Sequence, residues 1–383
     1  MPEGHSVHRI ARQFALHFVG KTVAVSSPQG RFAAGAERLD GLRMLSAKAV
    51  GKQMFLEFEH DRWLRVHLGL YGAWDFAGNF TADATTASAA GRMGQTNQHG
   101  TVVDGTAVDG ADAAGVVEMS SAAAGAGNSV VGEHEDSLAS IGAPRRTRLR
   151  MSEQEKATDT VSEFPPEPIG AVRVRLLTDT TCADLRGPTA CEVLNPDEVQ
   201  VALNKLGPDP LVDDNGEGEE RFVATVRKKQ TPIGVLLMDQ SVVSGIGNVY
   251  RAEILFRARL DPHTPGKLIP EELVRELWRD WAHLLEIGVR TGQMMTMDGL
   301  TGDDYTAALA SRDDRHWVYH REGLPCRVCG TNIVMEIAAG RKLYWCPSCQ
   351  APLGATLPKA KGKAPRATTP RSTKPRASKP QGA

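Results

Sequence analysis

Four cysteines near the C-terminal end constrain the structure of this chain more than any other feature. Cys326 and Cys329 are separated by two residues, as are Cys346 and Cys349, and sixteen residues lie between the two pairs. This spacing is typical of a structural zinc site. Four thiolate ligands leave no open coordination position, so we expect one structural Zn²⁺ per chain without a part in catalysis. Two disulfides are the alternative, which a reducing cytosol disfavours.

The residues between the two cysteine pairs predict a β-hairpin. Residues 333–337 and 341–345 have strand-like patterns, and Ala-Ala-Gly at 338–340 joins them. Arg341 then lies at the tip of a small cationic hairpin, where an arginine is well placed to contact a phosphate. An ordinary solvated arginine fits the same pattern.

Two segments have compositions that do not favour a packed core. Residues 81–167 are rich in Ala, Gly, Ser and Thr, and within them 83–136 carry eight acidic residues against one base, Arg92. Such a stretch buries too little apolar area to offset its ordering entropy, which predicts a disordered insertion. Residues 355–383 carry eight Lys and Arg and no acid, which predicts a disordered basic tail. The net charge of −1 hides this segregation.

The remaining sequence predicts a protein of the cytosol. It contains no run of about 18 apolar residues, which a membrane-spanning helix requires. The first residues lack the basic and apolar regions of a secretory signal. We therefore expect a cytoplasmic protein without a membrane partner, in which cysteines bind metal rather than form disulfides.

A glycine-rich turn precedes one of the clearest predicted helices, which runs to about residue 257. Gly245 and Gly247 permit tight turns, and Asn248 stands just before the helix, where it can act as the N-cap. The free N–H groups and positive dipole of the helix N-terminus suit a phosphate. Without other context, an ordinary helix cap explains the same residues.

The chain begins with Met1, Pro2 and Glu3. Removal of Met1 would leave a secondary amine, and an α-amino group has a pKa near 8, so a useful fraction is unprotonated at neutral pH. Amines form Schiff bases with masked aldehydes such as C1′ of a nucleotide sugar. The adjacent Glu3 could donate a proton to the opening sugar ring. Many unrelated chains begin in the same way, so these residues alone decide nothing.

Three motifs together resemble the formamidopyrimidine-DNA glycosylase/endonuclease VIII family. They are the N-terminal Pro-Glu-Gly, the Gln-Ser-Val-Val-Ser-Gly-Ile-Gly-Asn-Val-Tyr-Arg turn at 240–251, and the four-cysteine finger, in that order along the chain. The resemblance covers about 1–80 and 170–352, and the opening residues look most like the actinobacterial endonuclease VIII 2 branch.

The resemblance implies an α+β fold. An N-terminal β-sandwich domain with flanking helices would occupy 1–212, including the insertion at 81–167. A C-terminal helical domain with a helix-two-turn-helix would occupy 213–318, followed by a zinc β-hairpin at 319–354. Damaged DNA would lie in the cleft between the domains with its damaged nucleotide extruded, and the protein would be a monomer.

The resemblance also implies a role for each site residue. Pro2 would attack C1′, Glu3 would donate a proton, and Lys52 would donate a proton and contact a phosphate. The expected DNA contacts are the phosphate-binding Asn248 and Arg341, the Leu70 and Tyr71 pair that fills the space left by the flipped nucleotide, and Arg186 as a further intercalating residue. Three positions depart from the family pattern, namely His5, Ser6 and Gly69.

These roles predict a bifunctional enzyme of base excision repair. It would excise oxidised bases, with pyrimidines favoured by the opening residues, and then cut the strand by β- and δ-elimination. An oxidised-purine glycosylase is the alternative within this class. A non-catalytic protein that binds DNA damage is the alternative outside it, and the presence of Pro2, Glu3 and Lys52 together argues against that alternative.

Overall fold

The computed structural model describes residues 2–79, 140–142, 164–213, 215–310 and 314–354. The predicted basic tail at 355–383 lies outside the described residues, and so does most of the predicted insertion at 81–167. No helix within the described ranges is both long enough and apolar enough to cross a bilayer.

The described elements alternate between helix and strand at first and then become largely helical. In chain order they are α1 (Gly4–His17), β1 (Thr22–Ser26), α2 (Ala33–Leu39), β2 (Leu42–Val50), β3 (Gln53–Phe58), β4 (Arg62–His67), β5 (Ala73–Gly78), β6 (Ser140–Gly142), β7 (Val172–Leu177), β8 (Thr181–Arg186), β9 (Ala190–Leu194), α3 (Pro196–Asn204), α4 (Glu217–Arg227), α5 (Ile233–Leu236), α6 (Asn248–Arg257), α7 (Glu271–Thr291), α8 (Gly302–Ala310), β10 (Val334–Ala338) and β11 (Arg341–Trp345).

The N-terminal strands form an antiparallel sheet in the order β6-β5-β8-β7-β1-β2-β3-β4-β9. Strand β1 changes partner along its length, since Thr22 and Val23 pair with β2 and the three residues from Ala24 to Ser26 pair with β7. The two halves of the sheet contribute side chains to a single apolar core, as the faces of a sandwich do. The predicted N-terminal sandwich is therefore confirmed.

Helix α1 packs its apolar face into that core. The Phe14 ring is fully buried and lies 4.8 Å from the Trp74 ring and 5.4 Å from the Phe76 ring, measured between centroids. Burying a large aromatic side chain contributes about 1.5–3 kcal/mol to stability. This packing fixes the helix whose first residue, Gly4, directly follows Pro2 and Glu3.

One strand lies inside the segment that the sequence predicts to be disordered. Ser140–Gly142 pairs antiparallel with the start of β5, and Ile141 is fully buried in the sandwich core. This finding corrects the prediction for residues 81–167 at these three positions. A strand of three residues with one large apolar side chain is too short to show a periodic pattern, so composition hides it.

The C-terminal helices surround a second apolar core, to which α7 contributes its buried face. Two buried residues of α6, Ala252 and Phe256, pack instead against the cysteine-containing segment. Buried Glu253 accepts backbone N–H bonds from Trp317, Val318 and Tyr319 at 2.8–2.9 Å, which fixes the segment that leads into the finger. The predicted helical domain and zinc hairpin are thus present. Each element lies within one of the ranges 1–212, 213–318 and 319–354, whose limits as domains stay a prediction.

Candidate active site

The carboxylate of Glu3 lies at the N-terminus of helix α6. Glu3 is fully buried, and its two oxygens accept N–H bonds from Gly247 and Val249, both at 2.9 Å, and from Tyr250 at 3.4 Å. The positive end of the helix dipole stabilises a carboxylate in this position. The chain thus supplies its own anion to N–H groups that the sequence suggested for a phosphate, while a phosphate contact by the Asn248 side chain stays a prediction.

Asn248 is the first residue of α6 rather than its N-cap. The capping position belongs to Gly247, which has no side chain, and Glu3 satisfies the free N–H groups from a distant part of the chain. Sequence reasoning assigned the cap to Asn248 because local spacing cannot reveal a partner some 245 residues away. The Asn248 side chain is therefore not used as a cap, and its oxygen accepts a hydrogen bond from Arg251.

Three glycines bring the site residues together. The backbones of Gly4, Gly51 and Gly245 touch, and the Gly4 N–H donates to the Gly245 carbonyl at 2.9 Å. A Cβ on Gly51 would lie 2.8 Å from the Gly245 nitrogen, and Gly51 and Gly245 have positive φ values of +58° and +94°. Only glycine tolerates such approach and conformation without strain. The start of α1, the β2–β3 turn and the loop before α6 consequently meet at one point.

Lys52 follows Gly51 in the turn between β2 and β3 and points at the same loop. Its Nζ donates to the Ile246 carbonyl at 2.6 Å. Burial lowers the pKa of Lys52 to about 8, with Glu3 opposing this shift and Arg341 adding to it. The charges of Glu3 and Arg341 therefore both act on Lys52, so residues from three separate parts of the chain share one site.

The pKa of Lys52 predicts a pH dependence. If Lys52 acts as a proton donor and phosphate contact, strand cleavage should fall as the pH rises through about 8, because the amine then loses its proton. Cleavage rates at saturating DNA between pH 6 and 10 test this expectation. Lys52→Arg keeps its charge over that range but does not release a proton, so it should cleave slowly and without a decline near pH 8. A wild-type profile flat to pH 10 would contradict the assignment.

Asp209 is a positioning residue that sequence reasoning missed. Its buried carboxylate accepts hydrogen bonds from the His8 Nε2 at 2.8 Å and from the Gly51 backbone N–H at 2.5 Å. It thereby joins α1, which follows Glu3, to the turn that carries Lys52. The only signal in the sequence is an acid after Gly207 and Pro208, which also fits an ordinary loop. His67 lies close enough for the charge of Lys52 to help lower its pKa, although burial is the larger cause.

Arg341 is at the tip of the zinc hairpin, as predicted. Ala339 and Gly340 form the two-residue turn, both with positive φ (+49° and +74°), which matches the twist of a hairpin. Arg341 is exposed and begins β11, and its charge also helps to lower the pKa of Arg251, after the larger effect of burial. The tip of the hairpin therefore lies beside α6.

The four cysteines have the geometry of a tetrahedral metal site. All four sulfurs lie within 4.8 Å of one another, with 3.9 Å between Cys326 and Cys349 and 3.5 Å between Cys329 and Cys346. Sulfurs about 2.3 Å from a central zinc would be about 3.8 Å apart. Cys326, Cys346 and Cys349 are buried, and Cys329 is partly buried. These residues fit one structural zinc, which would hold the hairpin closed.

We expect loss of the zinc or of Arg341 to weaken DNA binding. Arg341→Ala removes an exposed charge beside the site and should weaken binding by about 10-fold, the usual effect of losing a charge-assisted hydrogen bond. Zinc chelation should weaken it at least as much, because the hairpin then loses its fixed shape. Titrations of duplex containing an abasic-site analogue measure both. Lys342→Ala, which removes a neighbouring exposed charge, is the matched control, and an equal loss there would show that Arg341 has no specific contact.

The predicted intercalating residues are placed differently from one another. Leu70 and Tyr71 lie in the loop between β4 and β5 and are 44% and 60% exposed, so they are free to enter a duplex. Arg186 is 3% exposed and pairs with Asp75. The predicted role of Arg186 does not fit this placement, since a buried, paired guanidinium stabilises the sheet. Its sequence position at the end of a strand could not reveal the partner.

The chain matches three known family models. They are the formamidopyrimidine-DNA glycosylase N-terminal domain at residues 1–107, the formamidopyrimidine-DNA glycosylase H2TH domain at 206–298, and the zinc finger found in FPG and IleRS at 323–352. A Mycobacterium tuberculosis protein named Endonuclease 8 1 is 33% identical over 350 residues, which is 91% of this chain and all of that protein. The chain belongs to the formamidopyrimidine-DNA glycosylase/endonuclease VIII family.

Further relatives agree with this assignment. A formamidopyrimidine-DNA glycosylase of Thermus thermophilus is 37% identical over 155 residues, covering 39% of this chain and 54% of that protein. The crystal structure of its MutM (Fpg) protein superposes with a TM-score of 0.55 at 23% identity, covering 91% and 98% of the two chains. The structure of a Lactococcus lactis Fpg in complex with DNA containing N7-benzyl-Fapy-dG superposes with a TM-score of 0.58 at 17% identity. The match covers 91% of this chain and 99% of that chain. At these identities the solved structures support the fold alone.

Family membership establishes the class of the protein. Members are DNA glycosylases of base excision repair that also act as lyases at abasic sites, and this chain is an enzyme of that class. The sequence pointed to the endonuclease VIII 2 branch, whereas a relative that covers 91% of the chain is named Endonuclease 8 1. The family is thus confirmed, and the branch stays a prediction.

Proposed function

We propose that this enzyme excises oxidised pyrimidines through a Schiff base on Pro2 and then cuts the strand by β- and δ-elimination. The observation that supports this proposal best is the convergence of the chain start, Lys52 and the α6 loop at the contact of three glycines. Pro2 is next to Glu3, whose carboxylate is held by three backbone N–H groups. Nucleophile and proton carrier are thus fixed relative to each other, as covalent catalysis requires.

The proposed reaction begins once removal of Met1 has freed the nitrogen of Pro2. The lone pair of this nitrogen forms a bond to C1′ as the C1′–O4′ bond breaks, and the proton that the nitrogen gives up passes through the Glu3 carboxylate to O4′. The damaged base then leaves with the electron pair of its glycosidic bond and takes up a proton, while the Pro2 lone pair forms an iminium ion with the opened sugar.

Strand cleavage follows from the same iminium ion. Loss of a proton from C2′ expels the 3′ phosphate, and loss of a proton from C4′ expels the 5′ phosphate, because the charged nitrogen accepts each electron pair in turn. Water then hydrolyses the imine and releases Pro2, leaving a one-nucleotide gap. Lys52 would supply a proton during these steps and contact a phosphate, consistent with an amine whose pKa is about 8.

DNA would be held by residues on both sides of this site. Asn248 and Arg341 would contact the phosphates that flank the lesion, while Leu70 and Tyr71 would replace the base stacking lost on extrusion. The exposure of Arg341, Leu70 and Tyr71 supports these assignments.

The preference for pyrimidines is supported by the resemblance of the first residues to endonuclease VIII and by the Endonuclease 8 1 relative. The formamidopyrimidine-DNA glycosylase relatives make oxidised purines the second candidate.

Two measurements test the proposal: borohydride trapping on abasic DNA, and the rate of base release from a panel of duplexes that contain different lesions. Wild type should form a covalent adduct with abasic DNA and release oxidised pyrimidines faster than 8-oxoguanine or formamidopyrimidine. Faster release of purines would overturn the substrate assignment but leave the mechanism intact. No adduct under conditions where a known lyase is trapped would overturn the proposed Schiff base on Pro2.

A further inference from the structure

Arg251 is a fully buried cation to which neither the sequence nor the proposed reaction gives a role. It lies one turn into α6, and its Nη2 donates to the Oδ1 of Asn248 at 2.5 Å and to the backbone carbonyl of Lys342 at 2.8 Å. Its Nη1 donates to the Gly234 carbonyl at 3.2 Å. Three acceptors from three segments therefore hold the guanidinium in one place.

The bond to Arg251 sets which end of the Asn248 amide faces outward. An asparagine side chain has an oxygen that accepts and a nitrogen that donates. A guanidinium only donates, so it must face the oxygen, because the reverse orientation would oppose two donors. The amide nitrogen of Asn248 then points away from Arg251. Asn248 is 8% exposed, so this orientation is fixed before any ligand arrives.

The same guanidinium joins helix α6 to the zinc hairpin. Lys342, whose carbonyl accepts from Arg251, directly follows Arg341 in β11. Gly234 belongs to helix α5, so the third bond anchors Arg251 to the helical core. A lysine could not reproduce this arrangement, since its single nitrogen cannot take the places of both Nη1 and Nη2.

We propose that Arg251 is a positioning residue that orients the Asn248 amide to donate a hydrogen bond to a DNA phosphate. Arg251 is buried and acts only through Asn248, with the carbonyls of Lys342 and Gly234 as its anchors. This inference rests on the proposed function, because it assumes that Asn248 contacts the phosphate. Arg251 thus prepares the phosphate contact of Asn248 without touching DNA itself.

A double-mutant cycle tests the proposal on the full chain. Affinity is measured by titrating duplex DNA that contains a tetrahydrofuran abasic-site analogue. Arg251→Met should weaken binding by about 10-fold in the wild-type background, the usual effect of losing a hydrogen bond to a charged group. In an Asn248→Ala background the same change should cost less than about 3-fold, since its target is already absent. Equal losses in both backgrounds would show that Arg251 only stabilises the fold and would overturn the proposal.

Arg257→Met is the matched control for folding. Arg257 lies on the same helix and pairs with Asp280 at 2.8 Å, but it contacts neither Asn248 nor Lys342. We expect a comparable fall in Tm and no coupling to Asn248→Ala. If Arg251→Met does not fold, Arg251→Lys replaces it in the cycle, and the same distinction between coupled and additive losses applies.

Asn248→Asp tests the orientation directly. The new carboxylate still accepts from Arg251, so Tm should be unchanged or higher, but the outward donor becomes a negative oxygen. Binding should therefore weaken by about 100-fold. Wild-type affinity in Asn248→Asp would overturn the proposal. Borohydride trapping of wild type distinguishes failure of the proposed function from failure of the positioning role. If wild type forms no adduct, the proposed function is refuted. If wild type forms an adduct but Arg251→Met weakens DNA binding equally in both backgrounds, only the positioning role is refuted.

Discussion

Replacing Pro2 with glycine should remove nearly all covalent trapping to abasic DNA, by about 100-fold or more. Glycine also permits removal of Met1, so the variant still begins with an amine, but a primary one on a residue without fixed φ. A secondary amine forms an iminium ion that carries its charge without taking up a proton, and the proline ring holds the attacking nitrogen in one direction. Misplacement of a reacting atom by about 1 Å can cost about 100-fold in rate.

Two measurements show whether a loss in Pro2→Gly is chemical. Affinity for the tetrahydrofuran duplex should stay within about 3-fold of wild type, because Pro2 makes no proposed phosphate contact. Pro28→Gly is the matched control, since Pro28 is exposed in the loop after β1 and lies outside the site. It should be trapped like wild type. Trapping of Pro2→Gly at the wild-type rate would contradict a role for the proline ring in the reaction.

Replacing Glu3 with glutamine should abolish base excision while sparing reaction at preformed abasic sites. The change removes the proton carrier, which contributes about 100-fold or more to such reactions. Both oxygens of Glu3 accept backbone N–H groups, from Gly247 and Val249. An amide must place its own NH₂ against one of them, so the free energy of unfolding should fall by about 1–3 kcal/mol, the usual effect of a lost buried hydrogen bond, and Tm should fall with it. Release of the base, trapping on abasic DNA and Tm are measured in parallel.

Gly247→Ala disturbs the same carboxylate without altering its chemistry. A Cβ on Gly247 would lie 2.4 Å from the Cδ of Glu3, so Glu3 must move. We expect a large loss of base excision, as in Glu3→Gln. Gly30→Ala is a control for backbone strain at an exposed glycine outside the site, where φ is +80° but a Cβ meets nothing within 4 Å, and it should excise bases like wild type. If Gly247→Ala excises bases normally, the position of Glu3 has no importance for the reaction.

Local sequence patterns predicted the features of this protein that depend on residues close together in the chain. The cysteine spacing predicted the zinc site and the hairpin with Arg341 at its tip, because ligand geometry and a short turn depend on neighbouring residues. Apolar periodicity predicted α6 for the same reason. The strand at 140–142 was missed, since one buried Ile141 gives no period.

Features that depend on distant partners escaped prediction from local patterns. Glu3 caps α6 from more than 240 residues away, Asp209 joins α1 to the β2–β3 turn, and Asp75 buries Arg186. In each case a charged side chain is fixed by a partner that only the folded chain brings near. Residue identity showed that these groups were polar but could not show which of them would be buried.

The attachment point of the sugar tests the central claim most directly. Wild-type protein is trapped on abasic DNA with borohydride, digested with nuclease and protease, and the modified peptide is sequenced by mass spectrometry. We predict that the sugar remnant is on the α-nitrogen of Pro2, in a peptide that lacks Met1. A remnant on the Nζ of Lys52, or normal strand cleavage by protein that retains Met1, would contradict the mechanism.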